Sequence, residues 1–325
     1  VQINVSARPD EMVAMLETLA AAITAPTIDV ETTNAARSFV AKQAADAEAD
    51  IAVHADRAAR ERFFGTFPYG RPQIGTSSTL QEIDFADLRF AYDRFFRADN
   101  ATLALSGNFE RDTAYRAVRR FFGNWLKSDR QIPSTFRQPD APPAALEILN
   151  AKSGSGGAEV RHIIRGIARS DADYHAVRVL TAVLDARLKQ RAAVDPGAEA
   201  FVRSDANQLP GAIVFGVSGL NPDMKAKVYG GTVESIDAVK LVPSLMSLPV
   251  TSTEFQAART LVTSAPAAAM EERWLDADTY KISAAGSDRA AYVKLTLADV
   301  QRVRERLAKQ PAASVWIVRG VGASN

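Results

Sequence analysis

The sequence predicts an α+β protein built from two homologous domains, each an antiparallel-rich sheet with helices packed on one face, the first lacking its N-terminal half. Three observations predict it. Strand-length segments alternate apolar and polar residues, as in ATLALSG (101–107) and ASVWIVRG (313–320), the period expected of a sheet with one buried face. Helix-length segments separate them. The order of these elements then recurs at a near-constant offset, which marks a duplication.

The repeat is read from three pairs of segments. VQINVSARPDEM (1–12) matches VFGVSGLNPDM (214–224), with Pro9 opposite Pro222, an offset of 213. NAARSFV (34–40) matches QAARTLV (256–262), with Ala36-Arg37 opposite Ala258-Arg259, an offset of 222. IDFADLRFAYDRFFRADNATLALSGN (83–108) matches LTLADVQRVRERLAKQPAASVWIVRG (295–320), with Asp87 opposite Asp299, an offset of 212, and Gly107 opposite Gly320. Copy two, however, opens near residue 146 with ALEILNAKSGSGGAEVRHIIRGI, which reads as a hairpin, and then a helix, SDADYHAVRVLTAVLDARLKQR. Copy one has no counterpart of either. Its sheet is therefore expected to be incomplete, with an open strand edge that another segment, a partner or a swapped copy would cover.

In chain order, the expected elements are a strand at 2–6, a helix at 9–24 and mostly helix over 29–64. FPYGRPQIGT (67–76) is a loop punctuated by Pro and Gly. Helix follows at 84–97, strand at 101–106 and helix at 110–126. The first domain spans 1–130, a proline-rich linker 131–145, and the second domain 146–325. The first residues lack the basic and apolar regions of a signal peptide and read as a strand already in progress.

Composition excludes several classes. The 325 residues are 47% hydrophobic and 24% charged, ordinary for globular domains. Net charge is +1, from 39 basic and 38 acidic residues, and no basic face suggests nucleic acid. The absence of cysteine removes disulfides, thiolate metal sites and a cysteine nucleophile. No run of 18 apolar residues suggests a membrane-spanning helix.

The stretch from 67 to 109 carries a resemblance. Pro68-Tyr69-Gly70, Gly75-Thr76, Asp87-Leu88, Tyr92, Asn100-Ala101 and Gly107, followed by FFGNW (121–125), resemble the M16 peptidases, the insulinase, pitrilysin and mitochondrial processing peptidase group. The resemblance implies duplicated α+β domains and, in active members, a zinc endopeptidase. There a His-x-x-Glu-His helix supplies two zinc ligands and a water-activating Glu, and a later helix supplies a third ligand, leaving one position for water.

This chain lacks that motif. Its only histidines, His54, His162 and His175, do not pair at helical spacing. In active members the later helix carries two glutamates seven apart, and the resemblance lays these positions on Ala36 and Gln43. Alanine has no ligand atom and a neutral amide is a poor zinc ligand. Asp46, Glu48 and Asp50 lie beyond and read as a solvated helix face. No catalytic or metal-binding residue is therefore assigned in this chain. Zinc is expected instead in an active partner or an upstream half.

Other signals take plain readings. His54 suits a helix surface, His162 a partly buried strand position, and His175 a helix start. SGSGG (153–157) lacks the Lys-Ser/Thr ending of a phosphate loop and suits a turn. The resemblance suggests Arg187 as a substrate-holding residue, with Phe201 where a Tyr is usual. A phenyl ring cannot donate the corresponding hydrogen bond, and a helix C-terminal arginine has its own electrostatic reason. Pro68, Tyr69 and Gly70 form a turn anchored by the tyrosine, or a contact to a partner.

The function expected from these readings is a non-catalytic M16-type chain or segment. It would pair with an active HxxEH-bearing half, or self-associate, to bind and cleave peptides. A scaffold subunit and the distal part of an active enzyme are the alternatives. The resemblance and the Ala-, Arg- and Asp-rich composition suit a bacterial, periplasmic setting.

Overall fold

The computed structural model describes residues 1–128, 137–143, 145–151, 157–221, 241–265, 268–282 and 288–319. Most of the linker, the SGSG run, Pro222 and Gly320 lie outside these residues. The helices are α1 (Met12–Thr24), α2 (Val30–Ala49), α3 (Ile51–Phe64), α4 (Ser77–Gln81), α5 (Phe85–Phe95) and α6 (Arg111–Phe122). Strands β1 (Ala145–Ala151) and β2 (Ala158–Arg165) follow, then α7 (Tyr174–Ala192), β3 (Glu199–Asp205) and β4 (Ala212–Leu220). The chain continues through α8 (Leu241–Ser247), α9 (Ser252–Ser264), α10 (Met270–Tyr280), α11 (Asp288–Lys294), α12 (Leu297–Leu307) and β5 (Ala313–Arg319). Among the described residues no helix is long and apolar enough to cross a membrane.

Two compact units form, and neither is continuous in sequence. One gathers residues 1–45, 74–135 and 268–278, the other 46–73, 136–267 and 279–325. Each thus includes a helix from the other half of the chain: α3 joins the second unit and most of α10 the first.

The second unit is built on a five-stranded sheet of order β1-β5-β2-β4-β3. All pairings are antiparallel except β1 with β5. This corrects the expected hairpin, because β5 lies between β1 and β2. The sheet is also covered on both faces, not one. On one face Val160, Ile164, Ile213, Phe215, Val217 and Trp316 pack with α7, α9 and α12. On the other, Ile163, Val214, Val315 and Ile317 pack against Ala55, Ala59, Phe63 and Phe64 of α3. The i, i+4 spacing of Ala55, Ala59 and Phe63 puts them on one side of the helix, where the small residues allow close approach. The central strands are correspondingly apolar on both faces, as a doubly covered sheet requires.

The first unit follows a different course. The helices expected at 9–24, 84–97 and 110–126 form, with α1 packed on α6 through Met12, Leu16, Ala114 and Ala117, and the short α4 is an addition that the sequence reading did not include. The expected strands 2–6 and 101–106 do not form. The physical reason lies in the repeat. Residues 2–6 correspond to β4 and 101–106 to β5, and in the second unit β2 runs between those two strands. Among the described residues no strand pairs with either segment, so neither has a ladder to join. Ile3, Val5 and Leu103 remain 50%, 48% and 42% exposed, whereas Phe215 and Val217 of β4 and Val315 of β5 are 0%, 1% and 0% exposed.

The duplication is visible in local geometry as well. Asp84 and Asp87 form a reciprocal capping box at the start of α5, and Thr296 and Asp299 form the same box at the start of α12. Asp29 and Thr32 exchange side-chain–backbone bonds ahead of α2, as Thr251 and Glu254 do ahead of α9. Arg37 reaches back to Asn34 Oδ1 at 2.6 Å, and Arg259 to Gln256 Oε1 at 2.7 Å.

Candidate functional site

The face of α2 that the resemblance singles out is formed locally. Asp29 and Thr32 fix its start, and alanine-rich sequence favours the helix interior. Asp50 ends it by accepting hydrogen bonds from the N–H groups of Ala52 and Val53, which begins α3. Ala36 and Gln43 are both exposed. Seven residues apart, they lie about 10 Å apart along the helix and on nearly the same side. Thr33, one turn before Ala36, is 3% exposed, and its Oγ1 has no hydrogen-bond partner.

These residues do not fit a zinc ion. Ala36 offers no donor atom, Gln43 only an amide, and among the described residues no three His, Asp or Glu side chains converge on one point. The histidines are scattered. His54 is exposed on α3. His162 is fully buried on β2 with Nδ1 2.7 Å from Ser314 Oγ. Burial, and then the neighbouring Arg161 charge, push its pKa down to about 3, so it is neutral. His175 Nε2 lies 2.8 Å from Asp288 Oδ1, with Tyr174 and Tyr292 edge-on at 5.1 and 5.0 Å. Bonding to His175, helped by the Arg169 charge, holds the Asp288 carboxyl below its usual range.

Arg187 is committed internally. Nε and Nη2 donate to the Glu254 carboxylate at 2.7 and 2.9 Å, Nη1 donates to the carbonyls of Leu245 and Leu248, and Nη2 also reaches that of Pro249. All five N–H groups have acceptors. The guanidinium ties α7 to the α8–α9 connection, and together with the Thr251 cap it lowers the Glu254 pKa to about 2.

Phe201 lies across the sheet from Gly216, its register partner. A Cβ on Gly216 would sit 2.1 Å from the ring, so glycine is required for this approach. The guanidinium groups of Arg161 and Arg203 stand 5.1 and 4.9 Å from the same ring. Tyr69 is anchored: its hydroxyl accepts from the Leu209 N–H at 3.1 Å, and its ring meets Phe64 and Phe67 edge-on at 5.8 and 5.0 Å. Pro68 opens the turn. A Cβ on Gly70 would lie 2.7 Å from the Gly65 carbonyl oxygen.

One cluster was not singled out from sequence. Arg161, 1% exposed, bonds Asp56 on α3 at 2.5 Å and Ser218 Oγ at 3.1 Å, and pairs with Glu159 at 3.1 Å. Asp56 also binds Arg203, and Arg60 binds Asp205. These pairs fasten α3 to the sheet. The available signal was an arginine alternating with Val160 and His162 on a buried strand, a charge that demands a partner.

Comparison with known proteins agrees with this architecture. Residues 82–241 match the family model described as the Peptidase M16 inactive domain. An uncharacterised zinc protease of Mycobacterium leprae is 30% identical over 135 residues, covering 39% of this chain and 29% of that protein. The alignment thus spans less than a third of that relative's length. A protease from Helicobacter pylori has the same fold with a TM-score of 0.80 at 15% identity, covering 95% of this chain and 77% of that one. A peptidase M16 inactive domain from Pseudomonas fluorescens gives 0.79 at 16% identity, covering 97% and 77%. The fold is therefore the mixed α+β architecture of these M16-type structures, and residues 82–241 are similar to the M16 inactive domain.

Proposed function

We propose that this chain is a non-catalytic M16-like segment that pairs with an active HxxEH-bearing half, which carries the zinc, and that the pair binds and cleaves peptides. The observation that carries the proposal is the α2 face. Where the family resemblance expects two carboxylates seven apart, this helix presents Ala36 and Gln43, exposed and close in azimuth. The match to the inactive-domain model over 82–241 supports the same reading. So does Arg187, whose five donors are engaged with Glu254 and three carbonyls.

The test is cleavage of an unfolded, fluorogenically labelled peptide by the chain alone and by the chain assembled with an HxxEH-bearing M16-type half. Turnover only in the assembly, abolished by a zinc chelator, is expected. Turnover by this chain alone would overturn the proposal. An assembly that forms but never cleaves would favour a scaffold role.

A further inference from the structure

We infer that the outward face of α6, which carries Tyr115, Arg116, Arg119 and Arg120, is a docking surface for an acidic segment of a partner polypeptide. This surface is separate from the pairing proposed above and does not depend on it.

The two sides of α6 differ. Ala114 and Ala117 are buried against α1, with Val118 and Phe121 packed beside them. At about 100° per residue, Arg116 and Arg119 fall on the opposite side, flanked by Tyr115 and Arg120, and all four are exposed. Tyr115 is 63% exposed. The Arg119 guanidinium stands 5.9 Å from the centre of the Tyr115 ring, and that of Arg120 stands 5.3 Å from the Phe121 ring. A guanidinium stacked on a ring keeps its in-plane N–H edge open to a carboxylate. Arg116 donates to Thr113 Oγ1 at 3.1 Å, and that hydroxyl donates to Glu110 at 3.0 Å. Among the described residues none of the three arginines has a carboxylate partner.

The contrast is α12. There Arg302 and Arg306 bind Asp173, and Arg304 holds the carbonyl of Met246. On α6, by comparison, like charges stand three and four residues apart, a spacing that destabilises a helix. The helix dipole favours Arg119 and Arg120 in the last turn. It gives no reason for Arg116 or for a tyrosine turned outward. An acidic partner removes the repulsion, while tyrosine and arginine supply the contacts in which interfaces concentrate their binding energy.

The same face selects a polypeptide over a nucleic acid. Asp112 is exposed one turn before Arg116 and on the same side. The net charge of the whole chain is only +1. A uniformly charged phosphate backbone would meet Asp112 and find no wider basic field. A peptide can set carboxylates opposite Arg116, Arg119 and Arg120 and a neutral side chain opposite Asp112.

Fluorescence anisotropy with the full chain and a fluorescein-labelled dodecapeptide of glutamate interspersed with phenylalanine tests this. Saturable binding is expected, with none for the same peptide carrying lysine in place of glutamate. Arg116→Glu and Arg119→Glu, both at exposed positions, should leave the circular dichroism unchanged and each weaken binding by about tenfold or more, the scale of a lost charge-assisted pair. Arg119→Gln, which removes the charge without reversing it, should weaken binding less than Arg119→Glu. Arg289→Glu, an exposed change of the same net charge on α11, should leave binding intact. Absence of saturable binding, or equal loss with Arg289→Glu, overturns the surface. A single-stranded DNA dodecamer that binds as tightly and is lost with the same α6 variants would make it a phosphate surface and overturn the choice of occupant. So would self-association of the chain that Arg119→Glu abolishes, which would assign the face to a second copy.

Discussion

Arg187 and Glu254 meet through two parallel hydrogen bonds of 2.7 and 2.9 Å, one from Nε and one from Nη2. The pair joins α7 to the N-terminal box of α9, and the remaining guanidinium donors hold the carbonyls of Leu245, Leu248 and Pro249. Replacing Arg187 by Met removes all five bonds and leaves the Glu254 carboxylate with only its Thr251 donors. The expected loss is about 2–3 kcal/mol, the range of hydrogen bonds to charged groups at a mostly buried site. A urea-unfolding midpoint equal to that of the unmodified chain would show that the guanidinium is not held as described.

The same pair sets an acid limit. The Arg187 hydrogen bond lowers the folded-state pKa of Glu254 to about 2, against an ordinary 4.5. A depressed carboxyl contributes stability that is fully present above pH 4.5 and is lost as pH falls toward 2. Glu254→Gln should therefore be less stable at pH 7 and should lose less stability than the unmodified chain between pH 4.5 and 2. Parallel stability–pH curves for the two proteins would refute this.

His162 contributes at higher pH. Its folded pKa is pushed down to about 3 from 6.5. Above pH 6.5 both folded and unfolded states hold it neutral and it contributes no pH dependence. Below that, only the unfolded state takes the proton, and the folding equilibrium falls about tenfold per pH unit until about pH 3. His162→Gln, a neutral side chain that can still bond Ser314, should remove that slope between pH 6.5 and 5. Retention of the full slope would mean that another group titrates.

Phe201 and Gly216 make a steric prediction. The ring occupies the place of the missing side chain, so Gly216→Ala should cost about 1–3 kcal/mol through overpacking. Phe201→Ala in the same chain should recover part of that cost, which a double-mutant cycle measures. Additive effects would contradict the close approach.

Local signals were the most legible from sequence. The Asp87 and Asp299 alignment corresponds to two capping boxes, and the helices expected at 9–24, 84–97 and 110–126 lie within a few residues of expectation, while α4 was missed. Period-two alternation identified β5 by its residues but could not identify its neighbours. β1 and β2, close in sequence, are separated by a strand from the far end of the chain, which no local pattern encodes. The same limit produced the strands expected at 2–6 and 101–106: each alternates correctly, but a strand needs a partner. The one-face expectation failed at β2 and β4, where AIVFGVSGL is apolar on both sides and the covering helix, α3, comes from before the linker. At the site, the resemblance located Ala36 and Gln43, and helix geometry put them on one side of α2. The link between Asp56 and Arg161 was out of reach, because it depends on which face of which strand α3 covers.

The central claim, that this chain is the non-catalytic member of a zinc-dependent pair, is tested most directly by intact-mass and metal analysis of the natively purified protein without chain-selective tags. The account predicts about one zinc per assembly, retained by an HxxEH-bearing segment, and none on residues 1–325 when separated under native conditions. Stoichiometric zinc on this chain by itself would contradict the account, because it would require ligands that Ala36 and Gln43 do not provide.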